Sequence, residues 1–100
     1  MNYAEEINAF YRLIQTQYTA TDEIVLWHAL MYQNYKYDWE EWFFAPNYLL
    51  QLNSGLSTKN LYKARNSLKE KGLIDFKQRC SPDINGTKLI SYKMISFKTE

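Results

Sequence analysis

Four helices, one short strand among them and a closing β-hairpin make an α+β domain, and three features of the 100-residue sequence predict it. Apolar residues recur with helical spacing as far as Lys71; two alternating runs, 73–79 and 89–95, flank an Asn-Gly pair; and Gly55 and Gly72 fall where helices should stop. A hydrophobic share of 46%, with 17% aromatic, is ample for one core in a chain of this length.

Ile7, Phe10, Tyr11 and Ile14 stand at i, i+3, i+4 and i+7, the stripe of an amphipathic helix over 3–16, with Glu5 and Glu6 near its positive end. We read residues 1–18 as an extension helix and 19–100 as the domain proper. Thr19 with Asp22, or Thr21 alone, offers a cap for the next helix, which runs to about Tyr37. It is apolar on two sides, with Ile24, Trp27, His28, Met31 and Tyr35 on one and Leu26 and Leu30 on the other, so it should be central. The aromatic residues of 42–45 suit a short strand, and Pro46 suits the first turn of a helix over 47–53. Asn53-Ser54-Gly55 is a turn, and Ser57 or Thr58 caps a helix that extends to Lys71 and is ended by Gly72. Two short helices joined by a Gly-containing turn form a helix-turn-helix. The hairpin behind it turns through Ser81-Pro82-Asp83-Ile84-Asn85-Gly86, where Asn-Gly supplies positive φ. The order is that of a winged helix-turn-helix with an extra N-terminal helix and a C-terminal β-hairpin wing.

Charge is sorted along the chain. Residues 1–56 set two cations against seven anions, a net −5, and residues 57–100 set ten cations against four anions, a net +6. Solubility does not require such sorting, and a basic half is the footprint of a surface that meets a polyanion. Leu61, Ala64 and Leu68 mark the core side of the 57–71 helix, which leaves Lys59, Lys63, Asn66 and Glu70 opposite, with Tyr62 and Lys69 on a flank. Thr58, Lys59, Tyr62, Lys63 and Asn66 are the candidates for base or sugar contact in a major groove, since Lys reaches guanine acceptors and Asn pairs with an adenine edge. Arg65, Lys69, Lys77, Arg79 and Lys88 are the candidates for phosphate contact. Glu70 is expected to pair with Lys63, Arg65 or Lys69.

Other chemistries find little support. Adjacent Glu40 and Glu41 would point to opposite faces of a strand and cannot share a catalytic site, His28 reads as a core histidine bonded to a neighbour, and three scattered glycines build no phosphate loop. Cys80 and His28 cannot complete a metal site, so we expect no enzyme, no metal and no cofactor. The lone Cys80 and the absence of a long apolar run point to a cytoplasmic protein with no membrane partner. Tyr3, Phe10, Tyr11, Tyr18, Tyr32, Tyr35 and Tyr37 exceed what a small core encloses, and Ile7, Phe10, Tyr11 and Ile14 are the candidates for an oligomerisation surface.

Glu6-Ile7-Asn8-Ala9-Phe10-Tyr11, Leu26-Trp27-His28-Ala29-Leu30-Met31, Leu56-Ser57 and the stretch Ala64-Arg65-Asn66-Ser67-Leu68-Lys69-Glu70-Lys71-Gly72-Leu73-Ile74 resemble the N-terminal winged-helix domain of phage replisome organisers and DnaD-like primosomal proteins. The similarity covers almost the whole chain. It implies double-stranded DNA binding at an origin, a dimer or tetramer, recruitment of helicase through a loader in a bacterial cytoplasm, and a separate C-terminal domain in a longer protein. In such proteins this domain serves largely as an oligomerisation platform, which makes a primosome scaffold one rival reading. A transcriptional repressor of the same fold is another.

Overall fold

The computed structural model describes residues 1–80 and 88–97, without the side chains of Arg79, Cys80, Lys88 and Leu89. The expected turn over 81–86 lies outside the described residues. Seven elements follow one another: α1 (Tyr3–Thr16), α2 (Thr21–Lys36), β1 (Phe43–Phe44), α3 (Asn47–Ser54), α4 (Thr58–Glu70), β2 (Ile74–Cys80) and β3 (Lys88–Met94). They make an α+β fold of four helices and a small antiparallel sheet ordered β1-β3-β2.

Helix ends fall where local chemistry puts them. The Asn2 side chain caps α1 by accepting the Glu5 N–H at 3.1 Å, and Ser57 caps α4 by accepting the Asn60 N–H at 3.2 Å. Gly55 and Gly72, both at φ 76°, take the left-handed conformation that ends α3 and the turn after α4. At α2 neither Thr19 nor Thr21 is the cap. Ala20 holds that position, and its N–H donates to the Glu23 carboxylate at 2.9 Å. Glu23 also accepts from the Ser67 hydroxyl at 2.7 Å and pairs with Lys71 at 2.6 Å, so one side chain ties the start of α2 to the end of α4. Burial opposes its charge, but these partners outweigh that and hold its carboxyl below the usual carboxylate range.

The far end of α2 is closed differently. Asp38 and Trp39 both adopt positive φ, at 55° and 62°, a conformation that costs a non-glycine residue free energy. Asn34 holds them there: its carbonyl accepts the Trp39 N–H at 3.0 Å and its buried amide donates to the Glu40 carbonyl at 2.9 Å. Trp39 thereby meets Tyr3 edge-on, with ring centres 5.3 Å apart.

The core is built around α2, as its two apolar sides require. Leu26, Trp27, Ala29, Leu30 and Met31 are all buried, against Leu61, Ala64 and Leu68 of α4 and the inner sheet face of Phe43, Ile74, Ile90, Tyr92 and Met94. The register pairs Phe43 and Phe76 with Tyr92, and Phe44 and Lys77 with Ser91, so odd and even positions separate cleanly into inner and outer rows.

The first helix departs from its expected role. Phe10 is 0% exposed and stacks on Trp27 with centroids 4.0 Å apart and planes 5° from parallel, while Ile7 and Ile14 are half-buried against the same core. Tyr11 is exposed, with its hydroxyl 3.2 Å from His28 Nε2. Phe10 is therefore corrected from an oligomer contact to a core residue, and α1 shares one core with the rest. Glu6 reinforces this, for its buried carboxylate accepts from the Ser96 hydroxyl and from the Phe97 N–H at 3.0 Å, drawing the chain after β3 onto α1. Among the described residues no helix is long and apolar enough to cross a membrane.

Removing the Phe10 ring leaves a cavity beside Trp27. Phe10→Ala should cost about 3–5 kcal/mol in urea denaturation, and a chain lacking residues 1–18 should lose cooperative unfolding. A truncated chain with the full-length midpoint would show that α1 is only an appendage.

Candidate nucleic-acid interface

Helix α4 owes its orientation to Leu61, Ala64 and Leu68, which bury one side and turn the opposite one outward. Thr58, Lys59, Tyr62, Lys63 and Asn66 are all exposed, and the spacing 59, 62, 63, 66 places four of them on a common face. Thirteen residues make a helix about 20 Å long, a body that a major groove admits. Lys59 and Lys63 make no ion pair with a described residue.

Two of the expected contacts are held in place from α3. Asn47 Nδ2 donates to the Tyr62 hydroxyl at 3.2 Å, and Gln51 Nε2 donates to the Thr58 hydroxyl at 3.2 Å and to the Leu56 carbonyl at 3.3 Å. These bonds fix the second helix of the pair against the first. Tyr62 is thus an oriented aromatic at the surface, 41% exposed.

Arg65 does not belong to the surface. It is 5% exposed; its guanidinium lies 4.6 Å from the Tyr62 ring centre and 4.8 Å from that of Phe76, and Nη1 donates to the Tyr92 hydroxyl at 3.2 Å. The expectation of a phosphate contact is corrected: Arg65 is a buried cation that joins α4 to both long strands. Burial raises the Tyr92 phenol pKa, and the neighbouring Arg65 partly offsets that.

The remaining cations divide. Lys69 is half-exposed, 3.4 Å from Asp75 and 4.7 Å from the Phe76 ring centre, a pairing worth little in water. The Phe76 N–H, and after it Lys69, lowers the Asp75 carboxyl pKa. Lys77 is exposed on the outer sheet face, with Nζ 3.9 Å from the centre of the Trp42 ring. Arg79 and Lys88 lie on β2 and β3, two strand positions whose side chains are outside the description. Glu70 makes none of its expected ion pairs among the described residues.

Sequence reasoning missed two features. Lys71 and Lys93 of the basic half pair with Glu23 and Glu41 of the acidic half, at 2.6 Å and 2.8 Å, so part of the charge separation is closed internally. Trp42 also stands among Lys77 and Lys93 on the outer sheet face, a grouping that strand parity signals only once the β1–β3–β2 order is known. His28 is half-buried beside Tyr11, and burial lowers its imidazole pKa. Among the described residues no group of three His, Cys, Asp or Glu side chains is placed to hold a metal ion. Protein-family models, curated proteins and solved structures were compared with the chain, and none matches it.

Arg65→Ala leaves Tyr92 and two rings without their cation and should lower folding stability by about 3 kcal/mol, read as a drop in the denaturation midpoint. An unchanged midpoint would return Arg65 to the surface.

Proposed function

We propose that this chain is a winged helix-turn-helix domain that binds double-stranded DNA and serves in replication initiation, at an origin, within a primosome. The observation that carries the DNA reading is the outward row of Lys59, Tyr62, Lys63 and Asn66 on the second helix of a tightly joined pair. Lys59 and Lys63 supply charge for phosphates or guanine acceptors, Asn66 an amide of the kind that pairs with adenine, and Tyr62 a fixed ring beside them. The positive end of α4 favours a phosphate on the same side. Lys69 joins after giving up Asp75, a small loss because that pair is exposed. The assignment to replication rests on the resemblance of 6–11, 26–31 and 64–74 to replisome organisers and DnaD-like proteins. A dimer or tetramer and a helicase loader are the partners that this reading adds. With Phe10 buried, self-association would need a surface other than the α1 stripe.

Each lost phosphate contact lowers the slope of log affinity against log salt by about 0.9. In a duplex titration at several salt concentrations, Lys59→Ala with Lys63→Ala should weaken binding and flatten the slope by up to about 1.8, with the thermal midpoint unchanged. Duplex affinity that ignores salt, or that survives the double substitution, would overturn the reading.

A further inference from the structure

The outer face of the sheet carries a second grouping that the duplex-binding helix does not use. Strand parity sets Phe44 and Lys77 on either side of Ser91 in one row and Lys93 beside Asp75 in the next, with Trp42 just before β1 and close to both lysines. Phe44 is 49% exposed, an unusual position for a phenylalanine on a sheet that has a well-filled inner face. Trp42, Phe44, Lys77 and Ser91 line an open cleft of about 260 Å³.

Phe44 is the exposed ring of this face, and beside it the half-buried Trp42 ring lies under the Lys77 ammonium, 3.9 Å from the ring centre. A flat heterocycle can stack on Phe44, where the Lys77 ammonium can meet a phosphate and the Ser91 hydroxyl can donate to or accept from a base edge. Glu41 pairs with Lys93 at 2.8 Å, whereas Lys77 makes no ion pair among the described residues and lies over the Trp42 ring, close enough to Glu41 and Asp75 to help lower both carboxyl pKa values. An exposed ring beside a cation on a sheet meets the physical requirements for holding unpaired bases without reading sequence.

We infer that the outer sheet face is a binding site for single-stranded nucleic acid, with an unpaired base stacked on Phe44 in the cleft beside Trp42 and its backbone drawn to Lys77. The site does not depend on α4. A duplex held by that helix and an unpaired strand held by the sheet would occupy different surfaces of one domain.

The test measures anisotropy of labelled oligothymidylate and oligouridylate of roughly 12 nucleotides, a length within the usual site size, beside a labelled duplex. Phe44→Ala should weaken single-strand binding on the order of tenfold or more and leave duplex binding and the thermal midpoint unchanged. Phe44→Trp should retain the affinity, whereas Phe44→Leu, equally apolar but without a ring, should not. Tighter binding of one oligomer assigns the source as DNA or RNA. Lys59→Ala with Lys63→Ala should weaken only the duplex. The inference is overturned if neither oligomer binds, if Phe44→Leu matches Phe44→Trp, or if single-strand binding is lost with Lys59 and Lys63 but not with Phe44. None of these outcomes bears on duplex binding by α4, which has its own arm.

Discussion

The fixed roll of α4 about its own axis is the constraint on which the rest of the molecule depends. Leu61, Ala64 and Leu68 are driven from water against α2, and that burial alone decides which residues face outward. Arg65 then holds the angle, because it reaches from α4 to Phe76 of β2 and Tyr92 of β3. A buried cation is a poor source of stability compared with a hydrophobic residue of the same size, yet removing one partner of it is costly. Its value here is geometric. From α3, Asn47 and Gln51 donate to Tyr62 and Thr58, which adds two exposed side-chain bonds between the two helices.

A second constraint acts at the other side of α2. The stack of Phe10 on Trp27 and the bonds from Ser96 and Phe97 to Glu6 join the first helix to the end of the described chain. Helix α1 therefore completes the core that supports the α3–α4 pair. Near Trp39 the backbone accepts two left-handed residues to bring that indole against Tyr3, which adds to the contact of Tyr3 with Tyr35 between α1 and the end of α2.

Element order was legible because each element carries a local signal: the stripe at 7, 10, 11 and 14, the left-handed glycines at 55 and 72, Pro46 before α3, and period-two alternation in both long strands. The outward row of α4 was legible for the same reason, since a helical wheel needs only the spacing of Leu61, Ala64 and Leu68. Arg65 was not, because the rings that bury it come from β2 and β3 as well as α4, and a wheel shows only one element. Phe10 was misjudged because its stripe looks the same whether it meets its own chain or another. Glu6 and Ser96 lie 90 residues apart, and no local pattern joins them. The charge division between halves was visible, but its partial closure through Lys71 with Glu23 and Lys93 with Glu41 depends on which strands and helices adjoin. Among the described residues of α4, Lys59 and Lys63 are the exposed cations that keep clear of any ion pair.

The most direct measurement of the central claim is a nuclear magnetic resonance titration of the isotope-labelled chain with a short duplex. Amide shifts should change along 57–66 and in the neighbouring part of β2, while α1 and the turn at Asp38–Trp39 stay still. Changes gathered on the Tyr3, Tyr35 and Trp39 side with α4 silent would contradict the account.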